Sequence, residues 1–194
     1  MNRKWLIAAV IFGVGAALLS NKSVRESLPL GPLSQTEPLD SSLIVTPAPI
    51  EGRPQVLIST SKGNFVIETR PDLAPQSVTN FLQKWNSGFC DGLTFHRVED
   101  WVVQGCDPAS NGTGGELSLP TETSAQTFTT GSVGVARRAE PKDLSNDSQF
   151  FIVKTNSNFL NSEYTYLGSV TSGMDVVNNL RSDDRILTTS VLTK

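Results

Sequence analysis

The residues from Gln55 to the C-terminus form a succession of short segments rich in β-branched and aromatic residues, with turn-forming residues between them. The first two segments, VLIST and FVIET, flank Ser61-Lys62-Gly63-Asn64, a composition that predicts a β-hairpin. The later segments are LTFHRV, WVVQG, GSVGVA, SQFFIVK, YTYLGSV and RILTTSVLT. Many short strands and few helices predict a closed antiparallel barrel or a sandwich.

Two segments have helical rather than strand periodicity. The segment APQSVTNFLQKWNSG has a proline suited to the first turn, Pro75, and a glycine stop signal, Gly88. Its apolar residues recur three and four positions apart and share one face, which consists of Val78, Phe81, Leu82 and Trp85. A second short helix is predicted in GMDVVNNLRS, with an apolar side formed by Met174, Val177 and Leu180.

Residues 1–20 have the pattern of an export signal. Arg3 and Lys4 precede an uncharged, mostly apolar run from Trp5 to Leu19, as in a signal peptide. The run is shorter than the roughly 20 apolar residues of a full membrane span, so a cleaved signal peptide and a retained anchor both stay open. We expect an exported protein, which is membrane-anchored facing outside the cytoplasm, or periplasmic or secreted if the signal is cleaved.

Residues 21–54 have the composition of a tether. Serine and threonine alternate there with prolines, namely Pro29, Pro32, Pro38, Pro47, Pro49 and Pro54. Proline fixes φ and lacks a backbone donor, so this stretch predicts an extended, semi-rigid linker rather than a helix or a central strand. The expected organisation is a signal peptide or membrane anchor at 1–20, a Pro-rich linker at 21–54 and a globular domain at 55–194.

Charge and metal-ligand content argue against two classes of function. The net charge of -3 and the pI of about 5.2 argue against a nucleic-acid partner, because phosphate binding requires a basic face. A single histidine, His96, and two cysteines form no cluster of zinc ligands, so we expect no metal site. Cys90 and Cys106 would be able to pair in an exported protein, but spacing does not fix their distance. We interpret them as unpaired, partly buried thiols.

Six motifs occur in order along the domain, and they are FHRV, VVQGCDP, NGTGG, SQFFI, FLN and GMDVV. Their order and approximate spacing resemble those of the cyclophilin-type peptidyl-prolyl cis-trans isomerases over roughly residues 55–192. The resemblance implies a mainly β fold, a closed eight-stranded antiparallel barrel capped by two α-helices, with a shallow groove on its outer face. It also implies a monomer without cofactor that binds proline-containing polypeptides and accelerates X–Pro rotation, here in exported proteins.

The same resemblance assigns residues to the groove. It implies catalytic roles for Arg97 and Gln104. The implied substrate-binding residues are Phe95, Val102, Ala136, Gln149, Phe151, Phe159, Leu160 and Tyr164. Where members of the family often have methionine, tryptophan or histidine, this chain has Val102, Phe159 and Tyr164 respectively. The turn between Arg97 and Trp101 is one residue shorter than the common pattern.

Proline isomerisation gives a physical reason for these residue types. Its barrier of about 18–20 kcal/mol comes from amide resonance, which is lost when the bond is twisted, so that the nitrogen can then accept a hydrogen bond. A catalyst therefore needs a donor and an apolar seat for the proline ring. The rigid, permanently charged guanidinium of Arg97 suits the donor role, and Val102, Phe151 and Leu160 suit the seat.

Two alternatives accompany this interpretation. His96 alternates away from Arg97 along a strand, so we expect it to pack or hydrogen-bond inside rather than to act in catalysis. The isomerase hypothesis competes with a tethered, non-catalytic peptide-binding module that uses the same groove. Arg97, Gln104 and Phe151 together favour catalysis, because a binding module does not need the donor.

Overall fold

The computed structural model describes residues 50–192. The predicted signal or anchor at 1–20, and the linker up to residue 49, lie outside the described residues. Within the described range, no helix has the length and apolarity required to cross a bilayer, and no group of histidine, cysteine and acidic side chains has a metal-binding arrangement.

The described residues form ten strands, two α-helices and one 3-10 turn. The strands before the middle of the domain are β1 (Gln55–Thr60), β2 (Gly63–Thr69), β3 (Arg97–Val98), β4 (Val102–Gly105) and β5 (Leu117–Pro120). The later strands are β6 (Ser132–Val135), β7 (Leu144–Asn146), β8 (Phe150–Val153), β9 (Tyr166–Ser172) and β10 (Ile186–Leu192). The helices are α1 (Pro75–Asn86) and α2 (Met174–Asn179), and the 3-10 turn is Asn158–Leu160. Both predicted helices and the β1–β2 hairpin are present.

Eight strands form one curled antiparallel sheet in the order β10-β1-β2-β9-β6-β8-β4-β3, and β5 and β7 form a separate pair. The prediction of a closed barrel is wrong for this sheet, because its edge strands β3 and β10 do not pair with each other. A single bridge, Thr94 with Arg185, joins the segments that precede them. The physical reason is the length of β3, which ends after two residues at the turn that leads into β4. The prediction of a mainly β fold with two helices is confirmed.

The main core lies on one side of this sheet and includes residues of α1 and α2. Strand β1 alternates half-buried and buried residues, so Val56 and Ile58 point into the core. The predicted apolar face of α1 packs against them: Val78, Phe81 and Trp85 are fully buried, whereas Leu82 is only partly so.

A second apolar cluster lies on the opposite side of the sheet. It consists of Val102, Phe128, Phe151, Val153, Leu160 and Tyr166. Strand β8 contributes to both clusters, since Phe150 and Ile152 belong to the main core and Phe151 and Val153 to the second one. All four of these residues are buried, so β8 is packed on both of its faces. This double packing places Phe151 on the outer surface of a rigid strand.

Cys90 and Cys106 form a disulfide, so the interpretation as unpaired thiols is wrong. Their Cα atoms are 5.0 Å apart, within the usual range for a disulfide, and both residues are fully buried. The bond joins the loop after α1 to the residue that follows β4. The sequence does not reveal this proximity, because it arises from the packing of α1 onto the sheet.

Candidate functional site

The strand register brings the outward-facing residues of four neighbouring strands into one row. Arg97 on β3 is directly opposite Gln104 on β4, Gln104 is opposite Phe151 on β8, and Phe151 is opposite Gly134 on β6. Directly opposed residues of antiparallel strands are close enough for their side chains to touch. A Cβ atom at Gly134 would collide with the rings of Phe151 and Phe128. Because glycine has no side chain, Gly134 leaves space for the Phe151 ring.

A continuous set of hydrogen bonds orients the polar members of this row. Arg97 donates from Nη1 to Oε1 of Gln104 at 3.4 Å, and Gln104 donates from Nε2 to Oε1 of Gln149 at 2.8 Å. Gln149 donates in turn to the carbonyl oxygen of Gly114 at 2.7 Å. Each amide has both its oxygen and its nitrogen engaged, so neither can flip without losing partners.

A cavity with a volume of about 70 Å³ lies beside this polar row, and apolar and polar side chains both line it. Its lining includes Arg97, Trp101, Val102, Gln104, Ala136, Arg137, Phe151, Leu160 and Tyr164. Phe151 forms its floor, stacked on Phe128 at 5.8 Å between ring centroids, and Tyr164 meets Phe151 edge-on at 5.7 Å. The structure thus brings together seven of the ten predicted site residues around one cavity.

The other three predicted residues occupy different places. Gln149 lines an adjoining pocket of about 60 Å³, which shares Gln104 and Ala136 with the first cavity. Phe159 is 66% exposed at the rim, where it contacts Trp101 edge-to-face at 5.1 Å. Phe95 does not reach the groove, because it is fully buried in the main core.

Arg137 is a groove residue that was not among the predicted site residues. Its side chain is 4% exposed, and it lies between the two pockets. It donates from Nε to the carbonyl oxygen of Glu163 at 2.8 Å, and its guanidinium lies 4.4 Å from the Tyr164 ring centroid. Arg137 therefore holds Tyr164 in the groove wall. The signal in the sequence was that Arg137 directly follows Ala136, which the resemblance assigns to the groove.

The NGTGG loop borders the second pocket and is held by a buried carboxylate. Asp107 accepts hydrogen bonds from the backbone N–H groups of Ala109, Asn111 and Gly112. Burial opposes the ionisation of Asp107, but these three donors hold its pKa below its ordinary value. Because the carboxylate already occupies these backbone donors, the loop is a tight border of the groove and not a phosphate cradle.

His96 lines neither of the two pockets. Both ring nitrogens are shielded from solvent and have no hydrogen-bond partner among the described residues. Burial lowers the pKa of His96, the nearby Arg97 lowers it further, and Asp107 opposes both effects. His96 is half-buried and precedes β3 instead of lying on it, so the expectation that strand alternation turns its side chain inward stays a prediction.

Comparison with known proteins identifies the family of the chain. The family model for cyclophilin type peptidyl-prolyl cis-trans isomerases matches residues 55–192. A probable peptidyl-prolyl cis-trans isomerase of Brucella abortus is 36% identical over 140 residues, covering 65% of this chain and 70% of that protein. Peptidyl-prolyl cis-trans isomerase B of Bacillus subtilis is 40% identical over 127 residues, covering 63% of this chain and 87% of that protein.

Solved structures show the same fold. A cyclophilin type isomerase of Cryptosporidium parvum superposes with a TM-score of 0.68 at 24% identity, covering 74% of this chain and 99% of that one. The structure of that protein determined in the presence of the dipeptide Ala-Pro gives a TM-score of 0.67 at 25% identity, covering 72% and 99%. The match of the family model over most of the chain, together with these relatives, shows that the chain belongs to the cyclophilin-type peptidyl-prolyl cis-trans isomerases and is an isomerase enzyme.

Proposed function

We propose that the groove formed by β3, β4, β6 and β8 is the catalytic site, with Arg97 as the donor to the rotating prolyl amide. The observation that carries this proposal is the position of the Arg97 guanidinium in the lining of the same cavity as a group of apolar side chains. Arg97 lines the same cavity as Phe151 and Leu160, so a proline ring seated there has its amide nitrogen beside the donor.

The proposed mechanism is preferential binding of the twisted amide. Resonance delocalises the nitrogen lone pair of a planar amide, so the donor gains little from the ground state. The twisted state has a localised lone pair and accepts the hydrogen bond. An interaction that is stronger in the transition state than in the ground state lowers the barrier, and no covalent intermediate is required.

Gln104 has a supporting role in this proposal. Its oxygen accepts from Arg97 and its nitrogen donates to Gln149, so it links the guanidinium to a buried amide. Phe151, Leu160, Val102 and Tyr164 form the seat for the proline ring, and Ala136 and Gln149 contact the residues that precede it. Phe159 contacts the substrate at the rim.

The substrates we propose are proline-containing segments of exported proteins, whose folding the enzyme assists. Two features support this. The N-terminal sequence has the pattern of an export signal or membrane anchor, and the domain contains a disulfide between its two cysteines, a bond typical of oxidising compartments outside the cytoplasm. We propose a monomer that is attached to the membrane through residues 1–20 if these are not cleaved. Cell fractionation and N-terminal sequencing of the mature protein test these statements; a cytoplasmic protein with an intact N-terminus would refute them.

The catalytic assignment is tested by a proline-isomerisation assay on the domain that begins at Gly52. Removal of one preorganised donor in other enzymes costs about 10²–10³ in rate, and we expect a loss of this order for Arg97→Ala. Arg53→Ala is the matched control, because Arg53 is exposed and pairs with Glu68 away from the groove. A folded wild-type domain that binds prolyl peptides without accelerating their isomerisation would support the binding-module alternative instead.

A further inference from the structure

The short turn between β3 and β4 is fixed at both ends. The backbone N–H of Glu99 donates to the carbonyl oxygen of Val102 at 2.9 Å, and Lys154 donates from its N–H to the carbonyl oxygen of Trp101 at 2.7 Å. The turn is therefore attached both to its own hairpin and to the end of β8. The side chains it carries have defined positions at the edge of the groove.

The carboxylate of Glu99 connects two groove residues. Its Oε1 accepts from Nε of Arg97 at 2.7 Å, and its Oε2 accepts from Nε1 of Trp101 at 2.8 Å. The guanidinium carbon of Arg97 lies 5.2 Å from the centroid of the Trp101 ring. The three side chains thus form a closed arrangement in which the guanidinium is held by one carboxylate and one aromatic face.

The hydrogen bonds of Arg97 leave most of its Nη edge, formed by Nη1 and Nη2, available for a substrate. Nε donates to Glu99 and one Nη1 hydrogen to Gln104, and within residues 50–192 no other acceptor binds this side chain. The second Nη1 hydrogen and both Nη2 hydrogens remain for a substrate. The Nε–H bond lies in the guanidinium plane, so rotation about the Cδ–Nε bond turns both together. The acceptor Oε1 of Glu99, 2.7 Å from Nε, therefore fixes the orientation of the plane.

We propose that Glu99 is a positioning residue for isomerisation, which turns the Nη edge of Arg97 toward the proline seat, and that Trp101 holds Glu99 in place. This inference rests on the proposed role of Arg97. The alternative is that Glu99 competes with the substrate for Arg97, but its bond to Nε alone leaves the Nη edge free. Glu99 does not line the cavity, so it acts through Arg97.

The effect of Glu99 is expected in the rate and not in the stability. The side chains of Arg97 and Glu99 are 42% and 47% exposed, and exposed ion pairs contribute little to the free energy of unfolding. A misplacement of about 1 Å in an active site can cost roughly 10²-fold in rate. We expect a smaller loss of kcat, about tenfold, because Gln104 and the Trp101 ring still restrain the guanidinium.

The experiment measures kcat and KM for Glu99→Ala, Glu99→Gln and Asp100→Asn in the domain from Gly52. Asp100 is the matched control, an exposed acid in the same turn whose side chain makes no hydrogen bond or ion pair in the described part of the chain. We expect kcat to fall about tenfold in Glu99→Ala with KM within a factor of about two. Glu99→Gln keeps an acceptor for Arg97 and is expected between Glu99→Ala and the wild type, and Asp100→Asn is expected to match the wild type.

The double variant Arg97→Ala, Glu99→Ala separates this inference from the proposed function. If Glu99 acts through Arg97, the double variant is no slower than Arg97→Ala alone. An unchanged or raised kcat in Glu99→Ala, while Arg97→Ala is strongly impaired, overturns the positioning role and leaves the catalytic assignment intact. An Arg97→Ala variant as active as the wild type overturns the catalytic assignment itself.

Discussion

Replacing Cys90 and Cys106 together by alanine removes the cross-link between the loop after α1 and the end of β4. The bond closes a loop whose ends are 16 residues apart in sequence, and the chain-entropy relation gives about 3 kcal/mol at 25 °C for a loop of this length. Domain stabilities are typically about 5–15 kcal/mol, so this is a large fraction. Both cysteines are fully buried, and lost packing of the sulfur atoms adds to the effect.

The assay is urea unfolding of the oxidised domain, the reduced domain and the double alanine variant, followed by circular dichroism. We expect the oxidised domain to be about 3 kcal/mol more stable than the reduced one. The double alanine variant in the presence and absence of reductant is the control, and its two curves should coincide. Two observations would refute the reasoning: equal midpoints for oxidised and reduced domain, or alkylation of both cysteines in denatured protein that was never reduced.

Three further changes test the packing and hydrogen bonds around the groove. Gly134→Ala places a methyl group against the Phe151 ring, so overpacking should cost about 1–3 kcal/mol in urea unfolding and raise KM for prolyl peptides. Gln149→Leu leaves the Nε2 group of Gln104 without its buried acceptor, which should cost about 1–3 kcal/mol and lower kcat. The pKa of His96 is lowered in the folded state, so the free energy of unfolding should fall as pH drops below about 6.5, where the unfolded chain alone takes the proton. A His96→Gln variant should show a flatter pH dependence, and an equal slope would contradict this account.

The resemblance assigns Arg97 and Gln104 to one groove, and the structure places them directly opposite each other on β3 and β4. The sequence does not predict the position of Phe95, although two-residue alternation would place this side chain on the same face as Arg97. The reason is that β3 begins only at Arg97. The preceding backbone bonds to the segment before β10, for example from the N–H of Phe95 to Asp184, and follows a different direction.

Features that depend on distant contacts are the ones that sequence patterns miss. Barrel closure would need β3 to extend along β10, and the disulfide depends on how α1 packs onto the sheet. The role of Arg137 arises from its contacts with Glu163 and Tyr164, which follow β8 in the chain. Trp101 likewise lines the cavity and contacts Phe159, which is distant in sequence. Local periodicity contains no information about any of these pairs.

The double packing of β8 has a consequence for the thermodynamics of substrate binding. Phe151 is 5% exposed and held between Phe128 and Tyr164, so its rotamer is already selected before a peptide arrives. Immobilising a mobile side chain on binding costs about 0.5–1.5 kcal/mol, and the floor of the seat avoids this entropic loss. Phe159, at 66% exposure, retains that freedom at the rim. The groove thus combines a preorganised floor for the proline ring with an adaptable edge for the residues that flank it.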